Sequence, residues 1–126
     1  MPISERAGVS LLVLTVSIVL LAIGLSVVMP RADLEVRRSR EDDLRFKLGE
    51  FRRAVNKFER CHNRPPVDLQ ELLSDAEGRR FLRRPYSDPM TGTFDWQCSI
   101  ASDGALVVHS ASDQPGINGV PYRDFR

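Results

Sequence analysis

Residues 7–30, AGVSLLVLTVSIVLLAIGLSVVMP, contain no charged side chain, and no other stretch limits the fold of the chain so strongly. From Val9 to Met29 every residue is apolar, Ser, Thr or Gly. At about 1.5 Å per helical residue, some 20 residues span the roughly 30 Å hydrocarbon core of a bilayer. The segment is therefore long enough for one crossing. It exceeds the ~7–15 apolar residues of a secretory signal, and no Ala-x-Ala cleavage pattern follows it. Pro30-Arg31 closes it, where freed backbone groups reach the polar interface. The alternative, a helix buried inside a soluble domain, would need more chain than residues 31–126 supply to wrap it on all sides. The sequence predicts a retained anchor in contact with membrane lipid.

Charge divides the remainder. Residues 31–60 carry ten Lys/Arg against seven Asp/Glu, whereas residues 61–126 carry seven against nine. One small domain is left beyond the anchor, near the size at which a single core barely suffices, with little room for an enzyme cleft. Cys61 and Cys98 are the only cysteines, no Cys-x-x-Cys occurs and there are two His, which argues against a zinc site. A Cys61–Cys98 disulfide is the economical expectation if the domain faces an oxidising compartment, although spacing alone does not bring their Cα atoms within about 7 Å.

Leu44, Leu48, Phe51, Val55 and Phe58 recur at steps of 4, 3, 4 and 3. At 100° per residue they fall within a sector of about 80°, the stripe of an amphipathic helix. Its other faces are filled by charges at helical spacing, such as Asp43 with Lys47 and Glu41 with Arg45. Upstream, residues 31–43 hold only Leu34 and Val36 as large apolar side chains, so the stripe fades there. The reading is a spine helix over 31–62 that continues the anchor of 9–30.

The stretch CHNRPPVDLQELL ends that spine, because Pro65 and Pro66 disfavour helix before them. Asp68 followed by Glu71 resembles a capping box, opening a short helix with Leu69, Leu72 and Leu73 inward. After a Pro-rich turn, TFDWQCSI alternates, with Phe94, Trp96, Cys98 and Ile100 on one face, which predicts a half-buried strand. ASDG is a turn and ALVVHS a second strand, giving a hairpin whose apolar face covers the spine. The fold class is α+β: a long N-terminal helix, transmembrane then amphipathic, packed against a small antiparallel sheet within residues 63–126. His62 on the stripe and His109 in the second strand read as packing or capping residues. No Ser/His/Asp set, phosphate loop or paired-carboxylate cleft is present, so the expectation is a non-enzyme.

This order of elements resembles type IV pilin-like proteins, and most closely the G-type pseudopilins of the type II secretion system. The likeness rests on Gly8 and Val9 before the anchor, Pro30 at its end, NRPPVDLQELL, FLRRPYSDPMTG and the closing SASDQPGINGVPYRDF. It implies a leader of residues 1–8 removed after Gly8 by a prepilin peptidase, a new amino terminus at Val9, and a helix-bending role for Pro30. It further implies a bacterial inner-membrane protein with its C-terminal domain in the periplasm. Its partners would be other pseudopilin subunits, in homo- and hetero-polymers, and the inner-membrane secretion platform.

The sequence departs from the family in three places. Val-Ser-Leu-Leu-Val follows Gly8 where the family has Phe-Thr-Leu-Ile-Glu, so Val13 replaces the glutamate whose carboxylate would pair with a neighbouring subunit's ammonium. Such a chain fits a major-like or an accessory subunit. Arg6 alone precedes the anchor while Arg31, Arg37, Arg38, Arg40 and Arg45 follow it, and the positive-inside rule would then favour a cytoplasmic domain. The resemblance also implies calcium in the closing loop through Asp113 and Asp124. Against it, Pro115, Gly116, Asn118, Gly119 and Pro121 shape the loop while Tyr122 and Phe125 pin it to the sheet, and two carboxylates fall short of six to eight oxygens. A membrane-tethered binding module, such as a minor pilin of a type IV pilus or DNA-uptake system, is the alternative function. The seven acids interleaved with its basic residues argue against nucleic acid as a partner.

Overall fold

The computed structural model describes residues 2–126, apart from the side chains of residues 2–5, 29 and 30. Helix α1 runs Pro2–His62, followed by α2 (Leu69–Leu73), β1 (Gln97–Ile100), β2 (Leu106–His109) and a 3-10 turn at Tyr122–Asp124. The chain divides into two compact units, Met1–Arg37 and Arg38–Arg126. The bend expected at Pro30 falls on a residue whose side chain lies outside the described set.

In the first unit, large apolar side chains are exposed around the whole circumference of the helix, from Val9 through Val28. The helix is long and apolar enough to cross a membrane. A helix apolar on all sides is at home in lipid or among other apolar helices, because its own chain leaves it uncovered and contact with water is unfavourable for it.

The second unit is organised by the predicted stripe. Leu44, Leu48, Phe51, Val55 and Phe58 are all buried, with Ala54 beside them, while Phe46 on another face is exposed. Two clusters form along the stripe. Phe51, Ala54, Val55 and Phe58 pack with Leu72, Leu82, Tyr86, Leu106 and Val108. Leu44 and Leu48 pack with Tyr122 and Phe125, and Trp96 touches both clusters. Tyr122 and Phe125 thus pack on the helix, while the 3-10 turn that holds Tyr122 also lies against β2, the sheet contact that the sequence reading expected.

Asn63 ends α1 in the left-handed region (φ 52°), its N–H donating to the Glu59 carbonyl at 2.8 Å. This is a C-terminal cap for which asparagine is suited. Asp68 caps α2 by accepting from the Glu71 N–H at 3.0 Å, and Glu71 reaches back to the Val67 N–H at 2.9 Å, one residue earlier than in a standard capping box. Of its leucines, Leu72 is buried and Leu69 and Leu73 are partly so.

The hairpin departs from expectation. The first strand is four residues, not the eight of TFDWQCSI, and all four are exposed. Antiparallel pairing sets Cys98 opposite Val108 and Ile100 opposite Leu106, so these four share one face. On that face Leu106 and Val108 are buried, yet Ile100 is 76% exposed and Cys98 is exposed. The helix stripe covers β2, and β1 overhangs it. Phe94, at 64% exposure, is likewise outside the core.

Candidate functional site

Gly8, Val9 and Val13 lie on α1 in the first unit, with Val9 and Val13 open to the surroundings. The hydroxyls nearby bond within their own helix: Thr15 donates to the Leu12 carbonyl at 2.9 Å and Ser17 to that of Val13 at 2.8 Å. Each retains oxygen lone pairs, so each still accepts.

The closing loop is held by a group that sequence reasoning placed only on the charged face. Glu41 is 5% exposed, and its Oε1 accepts from the Ile117 N–H at 2.7 Å and the Tyr122 hydroxyl at 3.0 Å. The signal was present: position 41 lies three residues before Leu44 and continues the apolar stripe, where a carboxylate needs a buried donor. The loop closes on itself through a Pro115–Pro121 bridge and a Gly116 N–H bond to the Val120 carbonyl at 2.8 Å. Gly116 is required here, since a Cβ would stand 2.9 Å from the Phe125 ring and 3.0 Å from the Val120 carbonyl oxygen.

Asp113 is engaged by Arg123, whose Nη1 donates to Oδ1 at 3.1 Å. Among the described residues no group of three or more His, Cys, Asp or Glu side chains could hold a metal. Asp113 faces the Arg123 guanidinium, and Glu41 is turned to Ile117 and Tyr122.

Cys61 and Cys98 are both free and both exposed, so the expected Cys61–Cys98 bond is not formed. A half-buried first strand would have turned Cys98 inward toward the end of α1, and that face of β1 is open. Partial desolvation pushes the Cys98 thiol up, and the negative charge of Asp68 adds to it, which lowers its thiolate fraction at neutral pH.

Two further carboxyls organise the loops. Asp88 is fully buried: Oδ1 accepts from the Met90 N–H at 2.9 Å, and Oδ2 from the Ser110 hydroxyl at 2.6 Å and the Ala111 N–H at 3.0 Å. Asp75 Oδ1 accepts from the N–H groups of Arg79 (2.7 Å) and Glu77 (2.9 Å), while Oδ2 faces His62 Nε2 at 3.2 Å. His62 itself stacks on Phe58, ring centroids 4.2 Å apart, and places Nδ1 3.2 Å from the Phe58 carbonyl.

Burial raises the Asp75 pKa, but the Arg79 and Glu77 N–H bonds and the charges of His62 and Arg79 outweigh it, and the net direction is down. A carboxyl depressed by folding contributes stability above its unfolded pKa of about 3.9, lost as pH falls through the lower folded value. Acid titration of the detergent-solubilised chain should therefore show stability falling below about pH 4, less steeply in Asp75→Asn. Equal slopes for the two proteins would remove Asp75 from the acid response.

Compared with known protein families, curated proteins and solved structures, the chain matches none.

Proposed function

We propose that this chain is a pilin-like structural subunit of a type II secretion pseudopilus, major-like or accessory, anchored in a bacterial inner membrane with its folded unit in the periplasm. The observation that carries the reading is α1 itself. One helix supplies an apolar surface exposed all round from Val9 to Val28 and, in Arg38–Arg126, a stripe that the hairpin and closing loop cover. Such a helix serves lipid while the subunit is stored and neighbouring helices once it is assembled. Cleavage after Gly8 would expose an ammonium at Val9, and with Val13 in place of a carboxylate its acceptors are the hydroxyl oxygens of Ser10 and Thr15.

Intact-mass measurement of protein purified from membranes, with a prepilin peptidase co-expressed, is the decisive experiment. The expected product lacks residues 1–8. Val13→Glu should be processed equally and enter filaments more readily, because the new carboxylate meets an ammonium only in the assembled state. An unprocessed chain would reduce residues 7–30 to a plain anchor.

The second reading, a membrane-tethered binding module, draws on one surface feature. Arg79, Arg80, Arg83 and Arg84 are all exposed around the buried Leu82, and of these Arg79 pairs with Glu77 and Arg84 lies over Tyr86. A polyanion bound there would be released steeply by salt.

A further inference from the structure

Beside α2 the surface of the folded unit opens into an apolar hollow of about 290 Å³. Buried Phe51 and Tyr86 line it, with Leu69 and Leu73 of α2 and the rings of Phe94 and Trp96. Asp95 is the centre of a tight turn, in which the Trp96 N–H donates to the Phe94 carbonyl at 3.0 Å, and both of its neighbours reach the same hollow. Phe94 is largely exposed, and Leu69, Leu73 and Trp96 are only partly buried. Folding has therefore left apolar surface in contact with water, and a patch of this kind bordered by charge marks an interaction site.

Size and polarity narrow the occupant. An apolar cavity of about 150 Å³ accommodates a benzene ring, and small-molecule pockets begin near 300 Å³, so the hollow suits one large side chain rather than a cofactor. Polar recognition inside it is sparse: the Trp96 indole N–H is committed to the Tyr86 carbonyl at 2.7 Å, and Gln70 supplies the single side-chain amide. The charges stand on the rim. Leu82 and Pro85 line the hollow, and Arg83 and Arg84 lie between them in sequence, both exposed, with the Arg84 guanidinium 5.5 Å from the Tyr86 ring centroid. Arg80 is exposed two residues before Leu82, and among the described residues no carboxylate pairs with Arg80, Arg83 or Arg84. The other borders are acidic, with Asp68 preceding Leu69 and Asp95 separating Phe94 from Trp96.

We propose that the hollow takes an aromatic side chain from a separate partner polypeptide that carries acidic residues on one side of that anchor. The ring would lie against Tyr86, Phe94 and Trp96, the arrangement in which a buried aromatic anchor supplies most of the binding energy. The acids would meet Arg80, Arg83 and Arg84, and this complementarity sets the direction in which the segment lies. A nucleic-acid strand fits less well, because its regularly repeated phosphates would meet Asp68 and Asp95 as well as the arginines, whereas a peptide can confine its acids to one side. A second copy of the chain fits less well too. Its other exposed aromatic ring, Phe46, has Asp42, Asp43 and Glu50 nearby on α1, but these are paired with Arg45, Lys47 and Arg53 of the same helix. The hollow lies wholly within Arg38–Arg126, so the assignment stands whether or not the leader is processed.

The chain has a single tryptophan and it lines the hollow, so the Trp96 indole N–H resonance of the isotope-labelled full chain in detergent reports occupancy. The probes are the capped peptides Asp-Asp-Phe-Gly-Gly and Gly-Gly-Phe-Asp-Asp, which cover both chain directions. One of them should shift that resonance saturably, its counterpart with Gly for Phe should not, and its counterpart with Lys for Asp should bind about tenfold more weakly. Reversing two exposed charges with Arg83→Glu and Arg84→Glu should exchange the preference between the acidic and basic peptides, which a mere loss of stability does not do. Absence of a saturable shift, equal binding of acidic and basic peptides, binding without Phe, or a preference that the charge reversal leaves unchanged would each overturn the assignment. So would a stronger response to an oligothymidylate, which would give the hollow to nucleic acid, or a shift on concentrating the chain alone, which would give it to a second copy.

Discussion

Replacing Asp88 with alanine is expected to destabilise the folded unit by roughly 3–5 kcal/mol, as a buried acceptor disappears from three donors at a typical cost of about 1–3 kcal/mol each before relaxation. Those donors are the Met90 and Ala111 N–H groups and the Ser110 hydroxyl, and Asp88 has no exposed surface through which water would replace it. The loss spreads further, because the Ser110 oxygen accepts from the Ser112 N–H at 3.2 Å. Asp88 also holds its own turn, donating its N–H to the Thr93 carbonyl and accepting from Gly92, each at 2.7 Å. Asp88→Asn keeps one acceptor oxygen but turns an NH2 toward the remaining donors, so it should fall between wild type and alanine. Ser110→Ala, which removes one donor and leaves the carboxyl with two, should be milder than either. Urea midpoints of the four proteins provide the check, and an Asp88→Ala loss below about 1 kcal/mol would mean that the loops rearrange around the missing group.

How much of this was legible depends on whether the partner lies within a helical turn or across the fold. The stripe from Leu44 to Phe58 is readable because a 3.6-residue period is a local property, and every member is buried. The cap at Asp68 is readable for the same reason. Asp88 is only half readable: an Asp bonding the N–H two residues on is an expected turn, but its bonds to Ser110 and Ala111 cross 22 and 23 residues. Glu41 has its donors 76 and 81 residues away, although its position on the apolar stripe marked it as a side chain in need of them. The alternation in TFDWQCSI correctly puts Cys98 and Ile100 on one face but does not state that anything covers that face. One narrow helix stripe covers one strand, and the buried positions fell to Leu106 and Val108. The expected Cys61–Cys98 bond failed with the covered face.

Phe58→Ala should be the most damaging single truncation along the stripe, costing roughly 3–5 kcal/mol, a large share of the 5–15 kcal/mol that holds a domain of this kind. Phe58 has no exposed surface. One ring stacks on it, His62 at 4.2 Å, and another meets it edge-on, Phe81 at 5.2 Å, while the Arg64 guanidinium lies 5.1 Å from its centroid. Removing the ring therefore leaves a cavity at the point where the end of α1, the loop after α2 and the Asp75 latch converge, and His62 loses the surface that orients it toward Asp75. Phe51→Ala should approach the same cost, since Phe51 meets Trp96 at 4.9 Å and Tyr86 at 6.0 Å within the same cluster. Phe46→Ala, on an exposed face, should stay within about 0.5 kcal/mol of wild type. The three variants share residue type and helix, so burial is the variable that separates them. Urea denaturation of each in detergent would test it, and equal losses at positions 46, 51 and 58 would contradict the assignment of the stripe as the core of the folded unit.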